Sequence, residues 1–190
     1  EFGVTRDLQK EFFNTGTNMT NYVAVSSRYA KTNMFASFEN NAQTGIVQNT
    51  NGYKRQNFRL NIDHQIAPWL KLSATNLVIN TRTQYPGDGG GIFFNIVLAE
   101  PDNNLYMANP VDGQPYYLRH NHWSNERNPL YSTWKNKRDD VSQRWIGNYT
   151  ANVKFTKWAN LDLSHSIELN NYHYTSYNPY DTWTIGGGGG

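Results

Sequence analysis

The chain has 190 residues and a formal net charge of +2, and 37% of its residues are hydrophobic, against about 45–50% in ordinary soluble domains. Without cysteine it can form no disulfide framework and no thiolate metal site, and it contains no apolar run of about 18 residues that would predict a transmembrane helix. The small charge excludes a broad basic surface for nucleic acid, and an aromatic content of 15%, beside 26 asparagines, argues against disorder.

The first predicted element is a short helix. Thr5 and Asp7 are its caps, its apolar residues are Leu8, Phe12 and Phe13, and Gly16 ends it. After it the dominant period of apolar residues is two, which places alternate side chains on opposite faces of a strand. Six amphipathic strands are predicted on this basis, in residues 21–29, 32–39, 53–64, 70–75, 144–153 and 161–169.

Two of the predicted hairpins repeat one pattern around a tryptophan. Trp69 follows Ile66 by three positions and Trp158 follows Phe155 by three, and the alternation resumes after each tryptophan. Tryptophan favours a membrane–water interface because its ring is apolar while its N–H seeks a polar partner. Trp69 and Trp158 are therefore predicted to be membrane-interface residues at tight turns.

The connections between the predicted strands alternate in length. A loop of more than about fifty residues is unusual in a compact soluble domain, whereas short turns on one side and long loops on the other are typical of outer-membrane barrels. The predicted organisation begins with a lead-in helix and loop in residues 1–18 and strands 1–4 in residues 19–80. A long extracellular loop follows in residues 81–138, then strands 5–6 in residues 139–178, and a last loop with a poly-glycine tail in residues 179–190. The five final glycines are interpreted as a tag, linker or placeholder, with a natural flexible tail as the alternative.

The polar faces of the predicted strands suit a water-filled barrel interior. The residues predicted to face this lumen are Arg59, Asn61, Asp63, Arg144, Asp162 and Glu168. A single-chain bacterial barrel needs about eight strands or more, and every unpaired backbone group in lipid costs several kcal/mol. Six strands are therefore expected to be one segment of a larger antiparallel transmembrane β-barrel. A soluble β-sandwich also alternates and stays open as the alternative fold.

Several passages resemble the SusC/RagA family of TonB-dependent outer-membrane transporters. Residues 7–16, 21–27 and 31–35 are similar to the entry to that family's barrel, although Ser26 and Ser27 stand where the family often has a glycine-containing pair. Residues 45–55, 57–64 and 69–72 are similar to the family's most repeated barrel passage. Residues 109–113 and 128–130 are similar to one of its loops. The resemblance extends over about residues 7–180.

The resemblance implies a 22-stranded barrel with an N-terminal plug in the bacterial outer membrane of Bacteroidetes. It implies uptake of glycans or peptides together with a SusD-like lipoprotein. It also implies energy supplied by TonB through N-terminal regions that lie outside this chain.

Chemistry of other kinds has little support in the sequence. His120 and His122 could place two imidazoles on one side of an extended segment, but a third ligand such as Asp102 or Glu126 would be needed, and a polar surface loop is the simpler interpretation. The glycine-rich residues 87–91 lack the lysine of a phosphate-binding loop and are interpreted as a hinge. No catalytic context surrounds the carboxylates, so no enzymatic activity, metal or cofactor is predicted; these residues are Glu100, Asp102, Asp139 and Asp140.

The long loop is rich in aromatic residues. Aromatic rings among asparagines and aspartates suit stacking on sugars and hydrogen bonds to hydroxyl groups, and packing of the loop on itself is the alternative. The candidate ligand contacts are Tyr106, Tyr116, Tyr117, Trp123, Tyr131 and Trp134.

Three hypotheses of function follow. The leading one is a segment of a TonB-dependent nutrient importer that contacts membrane lipid, a SusD-like lipoprotein and a glycan or peptide ligand. The second is a non-transporting SusC-like structural subunit of a larger outer-membrane complex. The third is a soluble carbohydrate-binding β-sandwich.

Overall fold

A computed structural model describes residues 5–86, 91–110, 112–117 and 128–178. In chain order, the elements are α1 Leu8–Phe12, β1 Thr17–Tyr29, β2 Thr32–Thr44, β3 Tyr53–Ala67, β4 Leu70–Pro86, α2 Gly91–Leu98, α3 Pro129–Lys135, β5 Lys137–Lys154 and β6 Asn160–Tyr177. Asp7 caps α1 as predicted, because its Oδ1 accepts the backbone N–H of Lys10 at 3.1 Å. The poly-glycine tail and residues 87–90 lie outside the described residues.

The six strands form one antiparallel sheet in the order β1-β2-β3-β4-β5-β6. Each strand pairs with its neighbour in the chain, including β4 with β5 across the long loop. The prediction of an all-β fold with six antiparallel strands is confirmed. A sandwich needs two packed sheets, and the described strands form one, so the sandwich alternative is wrong.

Three predicted boundaries are wrong. The alternation predicts residues 81–86 and 137–138 in the long loop, but Pro86 pairs with Lys137 and Thr83 with Asp140, so β4 and β5 extend beyond those limits. β1 likewise begins at Thr17, inside the predicted lead-in. The reason is that these strand ends carry polar residues on both faces. Backbone ladders continue where the apolar alternation, the signal used for prediction, has already ended.

The sheet has one apolar face, and its residues line up in rows across all six strands. One row consists of Val23, Phe38, Phe58, Val78, Trp145 and Leu169. Within this row Phe58 and Val78, which lie on inner strands, are still 46% and 45% exposed. Since apolar side chains are stabilised by removal from water, a face this open within the described chain needs apolar surroundings from outside it.

One polar residue lies in the middle of the apolar face. The Asn76 Oδ1 accepts a hydrogen bond from the Tyr149 hydroxyl at 2.9 Å and another from the Trp145 indole N–H at 3.2 Å. Gly147 pairs with Asn76 across the strands, and a Cβ atom there would lie 3.0 Å from Tyr149 Cε2. The absence of a side chain at Gly147 therefore gives Tyr149 room to cover Asn76.

A small helical cap lies at the long-loop end of the sheet. Its buried core combines the three helices with one loop residue, and consists of Leu8, Phe12, Ile92, Ile96, Leu105 and Leu130. Among the described residues no helix is both long and apolar enough to cross a membrane.

The loop between β2 and β3 joins this cap to the sheet. The Gln48 side-chain amide donates to the Glu11 carbonyl at 2.7 Å, and the Asn49 amide donates to Thr133 Oγ1 at 3.2 Å. The Lys137 ammonium, at the start of β5, donates to the Asn49 carbonyl at 3.1 Å. These bonds hold α1 and α3 at fixed positions over the strand ends.

Candidate functional site

The second face of the sheet is polar. All six residues predicted to face a lumen lie on it together, because the strand register places them at positions of the same parity; they are Arg59, Asn61, Asp63, Arg144, Asp162 and Glu168. The register thus gives these six residues one common face. That this face lines a lumen stays a prediction.

Several charges on the polar face have a partner close by. The Arg144 guanidinium lies 2.8 Å from the Glu168 carboxylate, and Lys71 lies 3.8 Å from Asp63. The Asn152 amide donates to Asp162 at 2.6 Å. Exposed ion pairs add little to stability, but the paired charges cancel each other's field, and the amides beside them offer hydrogen bonds.

A cluster that the sequence analysis missed lies on the polar face at the long-loop end. We call it the tyrosine platform, and it consists of Tyr85, Arg138, Asp140, Tyr172 and Tyr174. Arg138 donates to both carboxylate oxygens of Asp140, at 3.2 and 3.4 Å, and the Tyr172 hydroxyl donates to the same carboxylate at 2.6 Å. The Arg138 guanidinium lies 5.4 Å from the ring centroid of Tyr85 and 5.8 Å from that of Tyr174, within the range of cation–π attraction.

The strand register assembles this platform. Tyr85 pairs with Arg138, and Asp140 pairs with Tyr174, so residues of three strands meet on one face. Tyr172 and Tyr174 are 57% and 61% exposed, and their ring centroids lie 6.5 Å apart. Because Asp140 already accepts three hydrogen bonds and neutralises Arg138, the platform offers open aromatic faces and spare guanidinium N–H groups to a ligand that carries hydrogen-bond acceptors.

The sequence contained a signal for this cluster. Arg138 and Asp140, and likewise Tyr172 and Tyr174, are two positions apart, which is the spacing of one strand face. The predicted loop, which ends at residue 138, hides this spacing, and Asp140 by itself is one of several carboxylates without a catalytic context. Asp139, its neighbour, points to the other face and pairs with Arg82 at 3.4 Å.

Three of the predicted loop aromatics pack together in the helical cap. The Trp134 ring lies edge-on to Tyr116 at 6.1 Å and to Tyr131 at 6.0 Å between centroids, and Tyr131 is buried. The Lys135 ammonium lies 4.7 Å from the Trp134 ring centroid. These contacts show that the loop packs on itself here; ligand contact by these three residues stays a prediction.

The remaining loop candidates have other positions. The Tyr106 hydroxyl donates to the Glu11 carbonyl at 2.6 Å and so ties the loop to α1. Tyr117 is half-buried, and its backbone N–H donates to the Met107 carbonyl. Trp123, together with His120, His122 and Glu126, lies outside the described residues.

Both predicted interface tryptophans lie at short turns on the same end of the sheet. Trp69 follows β3 and is 55% exposed, and Trp158 lies between β5 and β6 and is 87% exposed. Their position opposite the helical cap agrees with a boundary at that end of the apolar face. Contact with a membrane interface stays a prediction.

The same fold occurs in the RagAB peptide transporter. The likeness has a TM-score of 0.72 at 20% sequence identity, and it covers 93% of this chain and 20% of the transporter chain. The chain thus spans about a fifth of that neighbour, and its six strands match a fragment of a β-barrel. No protein-family model matches the sequence, and no curated protein matches it.

Proposed function

We propose that this chain is a segment of a TonB-dependent outer-membrane transporter that imports glycans or peptides and performs no covalent chemistry. The observation that carries the proposal is a single sheet with one exposed apolar face and one polar face, whose fold matches part of a known transporter. In a barrel the apolar face contacts lipid and the polar face lines the water-filled interior.

The height of the apolar face supports this orientation. On β4 the apolar-face positions from Leu70 to Val78 span eight steps along the strand. These nine residues are close to the about 9–11 with which a tilted strand crosses the hydrocarbon core. At roughly 3.3 Å per residue and a tilt of about 40°, they rise about 20 Å. Trp69 lies just beyond one end of the band, where an aromatic girdle is expected.

The polar face and the loops then have separate roles. The paired charges and amides of the sheet line the route of the ligand, while the tyrosine platform lies near its outer mouth beside the helical cap. An aromatic surface with neutralised charge suits a ligand that offers apolar ring or side-chain faces together with hydroxyl or carbonyl acceptors. Both glycans and peptides meet that description.

The partners follow from the same proposal. A SusD-like lipoprotein would cover the long-loop side, and TonB would act through regions outside this chain. The long loop, whose described part folds into the cap, is the element best placed to contact such a lipoprotein.

The experiment uses cells that carry the full-length protein and labelled pools of oligosaccharides and peptides. We expect the protein in the outer-membrane fraction, with heat-modifiable migration, and uptake of one pool that depends on the lipoprotein. Joint replacement of Tyr172 and Tyr174 by alanine is expected to lower uptake at limiting ligand severalfold, because tyrosines that a bound ligand covers are enriched among the residues that carry most of the binding energy. Tyr22 is the matched control, since it is 58% exposed on the same face of the distant strand β1. A protein extracted without detergent would refute the proposal.

A further prediction concerns Gly147. A valine there is expected to displace Tyr149 and to remove its hydrogen bond to Asn76 in the lipid-facing band, at a cost of about 0.5–1.5 kcal/mol in unfolding free energy. The Trp145 N–H still donates to Asn76 Oδ1. Valine otherwise favours strands, so a loss of stability points to the Asn76 contact. The free energy of unfolding is measured by guanidinium titration of the protein in lipid vesicles, and Ala151→Val, on the same face, is the control. Equal stabilities of the two variants would contradict the expectation.

A further inference from the structure

A belt of amide side chains crosses the apolar face at its long-loop end. It takes one residue from each strand at a single register, and we call it the amide belt: Asn21, Asn40, Gln56, Asn80, Gln143 and Asn171. Within it the Gln56 amide donates to Asn40 Oδ1 at 3.4 Å. The belt lies next to the apolar row that begins with Val23. It therefore marks the end of the apolar band on the long-loop side.

The next row towards the long loops carries two cations side by side. Lys54 and Arg82 are direct partners across β3 and β4, on the same face, and both are exposed. Like charges directly opposite each other destabilise a sheet. Asp139, also on this face, offsets Arg82 at 3.4 Å, whereas among the described residues Lys54 has no ion pair. His173 lies in the same row.

We propose that Lys54 and Arg82 bind the phosphate group of a membrane lipid in the leaflet on the long-loop side. This rests on the proposed membrane orientation. An anion between the two cations removes their repulsion, and a cation near an anionic lipid surface is attracted to it. The lipid's acyl chains lie on the apolar rows, and the amide belt between those rows and the cations donates hydrogen bonds to the glycerol or sugar part of the headgroup.

A lipid explains the arrangement better than a soluble anion does. The cations lie four residues above the Phe58 and Val78 positions, or about 13 Å along the strand, and long basic side chains can reach to the headgroup level from there. Arg55, one residue from Lys54, points to the polar face instead and donates to Asn57 at 3.0 Å. At this height β3 thus carries one cation on each face: Lys54 on the apolar face and Arg55 on the polar face.

The experiment uses the full-length protein in nanodiscs of phosphatidylcholine that contain spin-labelled phosphatidic acid or spin-labelled phosphatidylcholine. We expect motionally restricted phosphatidic acid to exceed phosphatidylcholine at the protein surface. The preference is expected to fall about fivefold for each cation removed, in K54Q and further in the double variant K54Q/R82Q. The control R55Q is expected to retain it, and added inorganic phosphate is expected not to compete.

The outcomes separate this inference from the proposed function. Failure of the wild-type protein to enter nanodiscs would refute the membrane orientation and with it this site. Normal insertion with no preference for phosphatidic acid, or with equal loss in R55Q and K54Q, would overturn the lipid site alone. Full competition by inorganic phosphate would show a site for the free anion and would also overturn it. K54Q by itself keeps the test valid if the double variant does not fold.

Discussion

Replacing Ala74 by arginine is expected to destabilise the protein in a bilayer by about 2–4 kcal/mol, the cost of a lipid-facing arginine near the bilayer midplane. Ala74 occupies the middle of the five apolar-face positions of β4 from Leu70 to Val78. An arginine there would place a charge midway along the band, too far from either boundary for its side chain to reach water easily. The measurement is guanidinium unfolding of the full-length protein in lipid vesicles.

The control for this substitution is the next residue. Thr75 points to the polar face, where its cross-strand partners are Asn61 and Asn148. Thr75→Arg puts the same charge at the same height but into the proposed lumen, and we expect a change within about 1 kcal/mol, as for a tolerated surface substitution. If both variants lost the same stability, the assignment of lipid and lumen faces would be wrong.

Replacing Phe12 by alanine is expected to unfold the helical cap locally while the strands stay paired. Phe12 is fully buried among Leu8, Ile92, Leu105 and Leu130. Truncation of a buried phenylalanine costs about 3–5 kcal/mol, and the cap has few other buried apolar side chains to offset the loss. Native-state hydrogen exchange is the measurement: we expect amides of α1, α2 and α3 to lose most of their protection, since local openings report local stability.

Phe94 provides the matched control in the cap. It lies on α2 and is 59% exposed, so Phe94→Ala is expected to change the stability of the cap by less than about 0.5 kcal/mol. Exchange of the β3 and β4 amides is expected to stay unchanged in both variants. Loss of strand protection in Phe12→Ala would show that cap and sheet unfold as one unit.

The two faces of the sheet were predictable because their signal is local. Phe58, Leu60 and Ile62 alternate with polar neighbours, and a strand turns successive side chains to opposite sides whatever its partners are. The same rule placed Arg144 and Glu168 on the polar face, whereas their ion pair depends on the register between β5 and β6. Asp7 as the cap of α1 was predictable for the same reason, because a cap involves only the next few residues.

Prediction from the sequence was weakest where polar residues occupy both faces of a strand. The ends of β4 and β5 carry such residues. These ends form strands through backbone pairing, such as that of Tyr85 with Arg138, and this pairing produces no local pattern in the sequence. The tyrosine platform lies in this region and was missed. In the loop, aromatic content indicated neither the edge-on packing of Tyr131 on Trp134 nor the bond from Tyr106 to α1.

By itself the sequence determined the number of strands, the apolar and polar faces and the tryptophan turns. Period-two alternation and turn residues are local signals that involve only a few neighbouring positions. Only the tertiary structure decided which residues stand at the same height. The amide belt and the opposed Lys54 and Arg82 exist because of the register between strands, and the platform exists because β4 and β5 pair across the long loop. Register depends on contacts between residues far apart in the chain, and no local pattern contains it.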